Sequence, residues 1–369
     1  LPKLNFLNPI TQLRQDIELE KPVIISDESI KNIIKNFVQG HFFYLNTYIN
    51  LLINSYHKEV VGRLSSFNSQ FKLLIKKDKP DLFLLGAGTR DVFDTACCYL
   101  ANVNSIPIIV FQHGGTRLFS DKAYDESLEY NKRVSKTLIV HSKKDVEKFQ
   151  NNKTKVLCMG SIQQYEKNQL LNKNPTKDIC LCLGPDINFS FRHLLEYYST
   201  GKKHQQSIEV ISTIEEALLS VDIKLHPQGE RSSLNNYLNI IKDKQYNHTK
   251  IIYGRSAETV LSDYKLIIID FIASAVCKYA FSLKIPVILY NRDFDKMRVS
   301  KKVLSDLSNR CYIARNKVEL RDLLKRYQDG KLPSKWSESF IDNYIYPIAN
   351  GNPGVKITEY IENLMLNTN

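Results

Sequence analysis

The stretch VDIKLHPQGE, residues 221–230, decides how the rest of the chain is read. Its apolar run, 221–225, has the length of a buried strand and stops at His226-Pro227. Proline has no backbone N–H and biases the residue before it away from helix, so the strand ends here. That leaves the imidazole of His226 at the carboxyl end of a strand, the edge where open parallel α/β sheets bind ligands. A histidine in that position can donate to a phosphate or move a proton. It can equally be a strand cap that ties down a loop.

The same grammar repeats around this stretch. Residues 178–183 (DICLCL) form a strand that breaks at Gly184-Pro185-Asp186. Asp186 is the acid that stands out: it lies just past a carboxyl strand end, behind a rigid turn. An Asp after Gly-Pro is also an ordinary turn or cap residue. Residues 188–204 read as a helix and a basic loop, 207–220 as a further helix, and 232–242 as another. Next come a strand at 250–253 ending in Gly254-Arg255-Ser256, a short helix at 257–262, and a strand at 265–270 (KLIIID). The turn after it is rich in small residues, and Ser274 near the start of the following helix suits a phosphate. A strand at 285–290 follows; beyond 299 the pattern reads as helical segments only, the last at 341–346 and 357–365.

Upstream, residues 1–80 read as largely helical, with helices over 27–55 and 58–77. The strand 81–85 runs into Gly86-Ala87-Gly88-Thr89-Arg90-Asp91 and a helix at 92–103. Strand, glycine loop and helix can aim backbone N–H groups at an anion. This loop lacks the lysine of a P-loop and the third glycine of the dinucleotide fingerprint, so a tight turn or an acceptor-facing loop fits as well. The strand 106–111 ends in Gln112-His113-Gly114-Gly115-Thr116-Arg117. Paired glycines allow a close backbone approach to a ligand, and the neighbouring His113 and Arg117 exceed what a structural loop needs. Strands at 137–140 and 155–159 flank a helix capped by Ser142.

Short strands separated by helices specify parallel sheets. The expected fold is α/β, with two Rossmann-like domains facing a cleft, a helical N-terminal segment and C-terminal helices. The boundaries read as 1–162 for the first domain, a polar linker at 163–177, a second domain at 178–340, and helices at 341–369 that cross back to the first. A chain of 369 residues with 43% hydrophobic content agrees with two cores. No run of about 18 apolar residues is present, so no transmembrane helix is expected. The first residues carry no basic-then-apolar leader pattern and no Met, and the chain reads as a piece of a longer protein. Seven scattered cysteines without a CxxC pair or a His/Cys cluster suit reduced thiols in a cytoplasm, with no structural metal. The net charge of +12, from 51 basic and 39 acidic residues, favours an anionic partner: nucleic acid, an anionic membrane face or a phosphorylated substrate. Nucleic acid ranks last, because no zinc-finger spacing or aromatic RNA-binding pattern accompanies the spread of lysines. Ordinary surface solvation accounts for most of the excess.

Two successive α/β domains with ligand-like loops at matching strand ends resemble the GT-B glycosyltransferase architecture. KLHPQ, followed by IIIDFIASAVCKYAFSLKIPVILY, is similar to the His-Pro and serine motifs of bacterial surface-polysaccharide transferases. These include CMP-sialic acid and CMP-Kdo transferases and the teichoic-acid polymerases that use CDP-glycerol. Within that group, FQHGGT and LCLGPD look most like the retaining β-Kdo transferases of lipopolysaccharide O-antigen and capsule assembly.

The resemblance implies that His226, with Pro227, binds the cytidylyl phosphate and that Ser274 assists; Gly184, Gly254 and Arg255 fall on this donor side. Asp186 is implied as the nucleophile of a retaining transferase. His113 is implied as the second catalytic residue, on the sugar or acceptor side, with Gly86, Gly88, Thr89, Arg90, Gln112, Gly114, Gly115 and Arg117 lining that side. The leaving group of a CMP-sugar is already a phosphate monoester, so neither metal nor cofactor is strictly required. The implied partners are a CMP-sugar and a lipid-linked or oligosaccharide acceptor, met in the cytoplasm or at the anionic inner face of the membrane. The sequence names no acid/base carboxylate, since the relevant loop carries Gln112 and His113. Three other readings stand beside this one. Two are enzymes: an inverting CMP-sialic-acid-type transferase with Asp186 as base, and a CDP-glycerol-type polyol-phosphate transferase. The third is a nucleotide-sugar-binding scaffold of an export complex.

Overall fold

The structure, a computed structural model, describes residues 62–77, 79–86, 92–112, 135–150, 154–162, 165, 174–184, 200–226, 234–271, 275–294, 301–347 and 351–366. The helix expected over 27–55 and the start of the segment expected over 188–204 lie outside the described residues. The chain divides into two compact units, Leu1–Val110 with Arg133–Lys136, and Phe111–Lys132 with Thr137–Asn369.

In the first unit, helix α1 (Gly62–Lys77) precedes β1 (Phe83–Leu85), and α2 (Val92–Val103) leads to β2 (Ile108–Phe111). The two strands pair in parallel, with Phe83 opposite Ile108 and Leu85 opposite Val110. Phe71 of α1 is fully buried, its ring 5.8 Å from that of Phe83, so the helix is held by its apolar stripe.

The second unit starts with β3 (Thr137–Val140), α3 (Lys143–Phe149) and β4 (Lys155–Cys158), with β3 and β4 parallel. Ser142 caps α3 as the sequence predicts. Its side chain accepts from the Asp145 N–H, and the Asp145 carboxylate takes the Ser142 N–H, a reciprocal capping box.

A six-stranded parallel sheet follows. Its strands are β5 (Lys177–Cys182), β6 (Val221–Lys224), β7 (Thr249–Ile252), β8 (Tyr264–Ile269), β9 (Val287–Tyr290) and β10 (Tyr312–Ala314). Their spatial order is β10-β9-β8-β5-β6-β7. Counted from β5, this is the order 3-2-1-4-5-6 of Rossmann sheets, whose direction of winding reverses between β5 and β8. Both faces are covered, which is why these strands read as near-continuous apolar runs. On one face Ile179, Leu181, Ile223 and Ile268 pack with Val210, Ile211 and Ile214 of α4 (Thr200–Glu216) and Leu320 and Leu324 of α9 (Lys317–Gln328). On the other, Cys180, Cys182, Ile267 and Ile269 pack with Cys277, Ala280 and Phe281 of α7 (Ala275–Ser282) and Leu307 of α8 (Lys301–Arg310). Helices α5 (Leu234–Asp243) and α6 (Ala257–Val260) complete the crossovers.

Two expectations are corrected. The break expected between residues 204 and 207 is absent, since α4 runs unbroken from Thr200 to Glu216. Its GKKH segment was read as a loop because of its charge, yet Lys203 is buried and paired. The tail beyond 299 also holds a strand, β10, too short at three residues to show a period. The last helices, α10 (Glu338–Tyr344) and α11 (Pro353–Leu366), rest on the opening elements of the same unit. Lys143 of α3 meets Asp342 of α10 at 2.9 Å, and the Tyr360 hydroxyl lies 3.0 Å from Thr137 Oγ1. None of the seven cysteines is joined in a disulfide, and among the described residues no helix is long and apolar enough to cross a membrane.

The carboxyl end of α7 is closed by a buried cation. Arg310 is fully buried, and its guanidinium donates to the carbonyls of Phe281 at 2.8 Å, Ala280 at 3.2 Å and Leu283 at 2.7 Å. The Trp336 indole adds a bond to the Ser282 carbonyl at 3.2 Å. Burial brings the guanidinium down to about 10, still cationic at neutral pH, where it opposes the negative end of the helix dipole. Arg310→Met keeps the apolar stem and takes the guanidinium donor from the carbonyls of Phe281 and Leu283, while Ala280 keeps the Leu283 N–H. It is expected to cost about 2–4 kcal/mol, read from urea unfolding, at the rate for hydrogen bonds to charged groups.

Candidate functional site

The reversal point of the six-stranded sheet opens a cavity of about 200 Å³ at the carboxyl ends of β5, β6 and β8. Its floor and walls are largely apolar: Leu183, Leu225, Ala257, Ile269, Phe271 and Val276. The polar groups around it are Lys224, His226, Ser256 and Glu258. An apolar hollow with a few convergent polar groups is the usual form of a small-molecule site.

Its geometry starts at Asp270, the residue after β8, which is completely buried. Its Oδ1 accepts the Gly184 N–H at 2.7 Å and lies 2.9 Å from Lys203 Nζ. Its Oδ2 accepts from Ser207 Oγ at 2.8 Å. The carbonyl of Asp270 is also occupied, by Lys203 Nζ at 2.5 Å and Gln206 Nε2 at 3.0 Å. A buried carboxylate is tolerable only with such a set of donors and a counter-charge. Through them, the end of β5 and helix α4 are both tied to the end of β8.

Phe271 then lies directly under Gly184. A Cβ at Gly184 would sit 2.5 Å from the Phe271 Cβ, well inside contact distance. Glycine is required there by close approach, not by an unusual φ. Gly184, just past the end of β5, is therefore a fixed point.

Facing this floor, β6 delivers His226, half-buried at the rim, and the buried Lys224, whose ammonium donates to the Leu225 carbonyl at 2.9 Å. Glu258, in the first turn of α6, accepts from the Tyr279 hydroxyl. Burial first, and then this carboxylate, push the Tyr279 hydroxyl well up, so it stays a donor. An imidazole and an ammonium suit an anion such as a phosphate, and a carboxylate in the same lining accepts from hydroxyls or an amine.

Of the donor-side residues read from the sequence, His226 and Gly184 line this cavity. Gly254, at φ +70, and Arg255 stand exposed in the turn before α6, next to the lining residue Ser256. Gly86 is exposed at the end of β1. Gln112 is only 5% exposed, and both ends of its amide are engaged. Nε2 donates to Asp145 Oδ1 at 2.8 Å, and Oε1 accepts the His141 N–H at 2.9 Å. Its place is thus within the protein framework. Asp186, His113, Pro227, Ser274, Gly88, Thr89, Arg90, Gly114, Gly115 and Arg117 lie outside the described residues.

Sequence reading missed Lys224 and Glu258. Lys224 could have been found as the one charge in the apolar part of the run IKL, while Glu258 looks like any acid in a first helical turn. Among the described residues no group of three or more His, Cys, Asp or Glu side chains could hold a metal ion.

Gly184→Ala tests the close approach. The methyl must displace Phe271 and stretch the bond to Asp270, so a loss of about 1–3 kcal/mol is expected by chemical denaturation, the range for overpacking. Wild-type stability in this variant would show that the β5–β8 contact is loose.

No protein-family model matches the sequence, and no curated protein matches it. Solved structures do. The UDP-GlcNAc 2-epimerase of Methanocaldococcus jannaschii, in complex with UDP-GlcNAc and UDP, superposes with a TM-score of 0.53 at 18% identity, over 82% of this chain and 81% of that chain. The UDP-GlcNAc 2-epimerase of Neisseria meningitidis bound to UDP-GlcNAc gives 0.50 at 14% identity, over 82% and 81%. The S. aureus MnaA–UDP structure gives 0.50 at 14% identity, over 82% and 79%. At such identities the likeness is one of fold, and it agrees with the parallel sheets described above: the chain has the α/β, twice-Rossmann-like fold of the GT-B class.

Proposed function

We propose that this protein is a nucleotide-sugar-dependent glycosyltransferase that moves Kdo, or a related 2-keto sugar acid, from a CMP-sugar to a saccharide acceptor of a bacterial surface polysaccharide. The observation that carries the nucleotide part is the cavity at the reversal point of the second sheet, an apolar hollow lined also by His226, Lys224 and Glu258. The CMP-Kdo part is supported by the motif resemblance of KLHPQ, FQHGGT and LCLGPD.

In this reading His226 and Lys224, with Ser274, hold the phosphate of CMP and stabilise the charge that grows as the glycosidic bond breaks. Glu258 accepts from hydroxyl or amine donors of the nucleoside. Asp186 attacks the anomeric carbon as the bond to phosphate breaks, and CMP leaves as the monoester. The acceptor hydroxyl then displaces the Asp186 carboxylate and gives its proton to a base, for which His113 is the candidate. Two displacements retain configuration.

A second reading is epimerisation of a nucleotide sugar, favoured by the shared fold with UDP-GlcNAc 2-epimerases. The two separate by product: transfer needs an acceptor and releases CMP, whereas epimerisation inverts C2 of UDP-GlcNAc with no acceptor present. NMR of the intact protein's products with CMP-Kdo plus acceptor oligosaccharides, and with UDP-GlcNAc alone, decides between them. His226→Ala is expected to weaken CMP binding by about 1.5–3 kcal/mol in calorimetry, the value of a hydrogen bond to a charged group. Asp186→Asn is expected to keep CMP affinity and abolish turnover, and wild-type enzyme with CMP-Kdo alone should show a sugar adduct on Asp186 by mass spectrometry. Full turnover in Asp186→Asn, or an inverted product, would remove the double displacement.

A further inference from the structure

The six-stranded sheet carries another cavity, of about 490 Å³, at the edge opposite the first. It lies where β5, β6, β7 and β8 begin, and all four strands line it, through Lys177, Asp222, Lys250 and Tyr264. Ile179 is the one aliphatic residue in its lining. One wall is a fixed triad. Asp222 Oδ2 accepts from the Tyr264 hydroxyl at 2.6 Å and from Lys177 Nζ at 3.1 Å, and Lys177 Nζ also lies 3.3 Å from that hydroxyl. Burial, and then the bond to Asp222, push the Tyr264 hydroxyl well up, so it stays the donor. The rim is fixed as well. Glu215 of α4 takes the backbone N–H of Asn247 at 2.6 Å and of His248 at 3.0 Å, and the Thr249 hydroxyl at 2.7 Å.

Several polar groups in this fixed frame are left unfilled. Asp222 Oδ1 has no hydrogen-bond partner among the described residues, although the Asp222 side chain is only 13% exposed. Lys250 stands opposite Asp222 in the β6–β7 register, so the two side chains leave the same face of the sheet side by side. The Lys250 ammonium nevertheless meets no acid among the described residues, and the side chains of Ser220, Asn247 and His248 have no polar partner there either. The other lysines are matched, Lys177 with Asp222 and Lys265 with Asp178 at 3.0 Å. A hydroxyl group closes both gaps at once, because it accepts from an ammonium and donates to a carboxylate oxygen. Donors are in excess: an ammonium, an imidazole, an amide and a hydroxyl stand against one open carboxylate oxygen. The complementary ligand carries several hydroxyls and one group that only accepts.

We propose that this cavity is a saccharide site separate from the nucleotide cavity, and that it takes a sugar acid, a polyhydroxylated carboxylate. The carboxylate is met by Lys250 and His248, and hydroxyls of the sugar donate to Asp222 Oδ1. The two cavities lie at opposite ends of the same strands. The four residues of β6 alone set them about 13 Å apart at the usual rise per strand residue. A sugar held here is out of reach of the reacting atoms, so the site retains a glycan and takes no part in bond breaking. Which sugar acid it retains rests on the transfer reading; that the cavity takes one does not.

The test is calorimetry on the intact protein with free Kdo and, separately, N-acetylneuraminate as probes, in the presence of excess CMP. Glucose, which has the hydroxyls alone, and acetate, which has the carboxylate alone, are the controls. At least one sugar acid is expected to bind about tenfold or more tighter than either control, the size of one charge-assisted hydrogen bond. Lys250 is exposed on the edge strand β7, so its variants keep the fold, which circular dichroism checks. Lys250→Gln is expected to weaken the sugar acid about tenfold, and Lys250→Arg to weaken it less, with CMP affinity unchanged in both. Acetate binding as tightly as the sugar acids would reduce the site to an ordinary surface ammonium and overturn the proposal. So would sugar-acid binding that CMP abolishes, that Lys250→Gln leaves intact, or that neither probe shows. Failure of the transfer reading is seen separately, as no turnover of CMP-Kdo by the wild type, and the Lys250 variants still judge the site.

Discussion

The site depends on one buried carboxylate, Asp270, and on what it takes to keep it buried. Removing such an ion from water costs several kcal/mol, and the cost is offset only by close counter-charge and full hydrogen bonding. Here the counter-charge comes from Lys203 of α4, and the remaining bonds from Ser207 and the Gly184 N–H. Satisfying one acid therefore joins the ends of β5 and β8 to the first turns of α4. These are the two strands between which the winding of the sheet reverses. The hollow that opens there has its floor set by Phe271 against the bare backbone of Gly184.

Helix α7 links this hollow to a second buried network, around Asp145 of α3. Its carboxyl end is closed by Arg310 and Trp336, so the helix is held along its axis. From its middle Lys278 reaches His141 at the end of β3, while Val276, in its first turn, lines the cavity. The two networks use the same chemistry: one carboxylate, one lysine, a serine hydroxyl and a glutamine amide around each. Each secures a strand end at the edge where ligands bind. Such networks specify one arrangement of their partners, because any slip leaves a buried charge without its complement.

The same two networks explain which parts of the site could be read in the sequence. Strand ends were legible, because an apolar run halted by His-Pro, Gly-Pro or Gly-Gly is a local pattern. His226 and Gly184 were found this way, and both line the cavity. The Ser142 cap was legible for the same reason, as capping residues act within three positions of the helix start. Gln112 looked like a ligand contact because it stands near two glycines, yet both ends of its amide are engaged, by Asp145 and His141.

The sequence by itself determined the class of fold, the strands from β1 to β9, and the edge of the sheets at which chemistry would lie. Periodicity and turn residues carry that information, and they act over a few positions. Only the tertiary structure decided the strand order, the three-residue β10, and the partners of the buried charges. Lys203 meets Asp270 across 67 positions, and Lys278 meets His141 across 137. A lysine's local sequence looks alike whether its ammonium lies in water or in a core. The choice is made when a distant carboxylate or imidazole arrives to replace the water, and that arrival is a property of the packed chain.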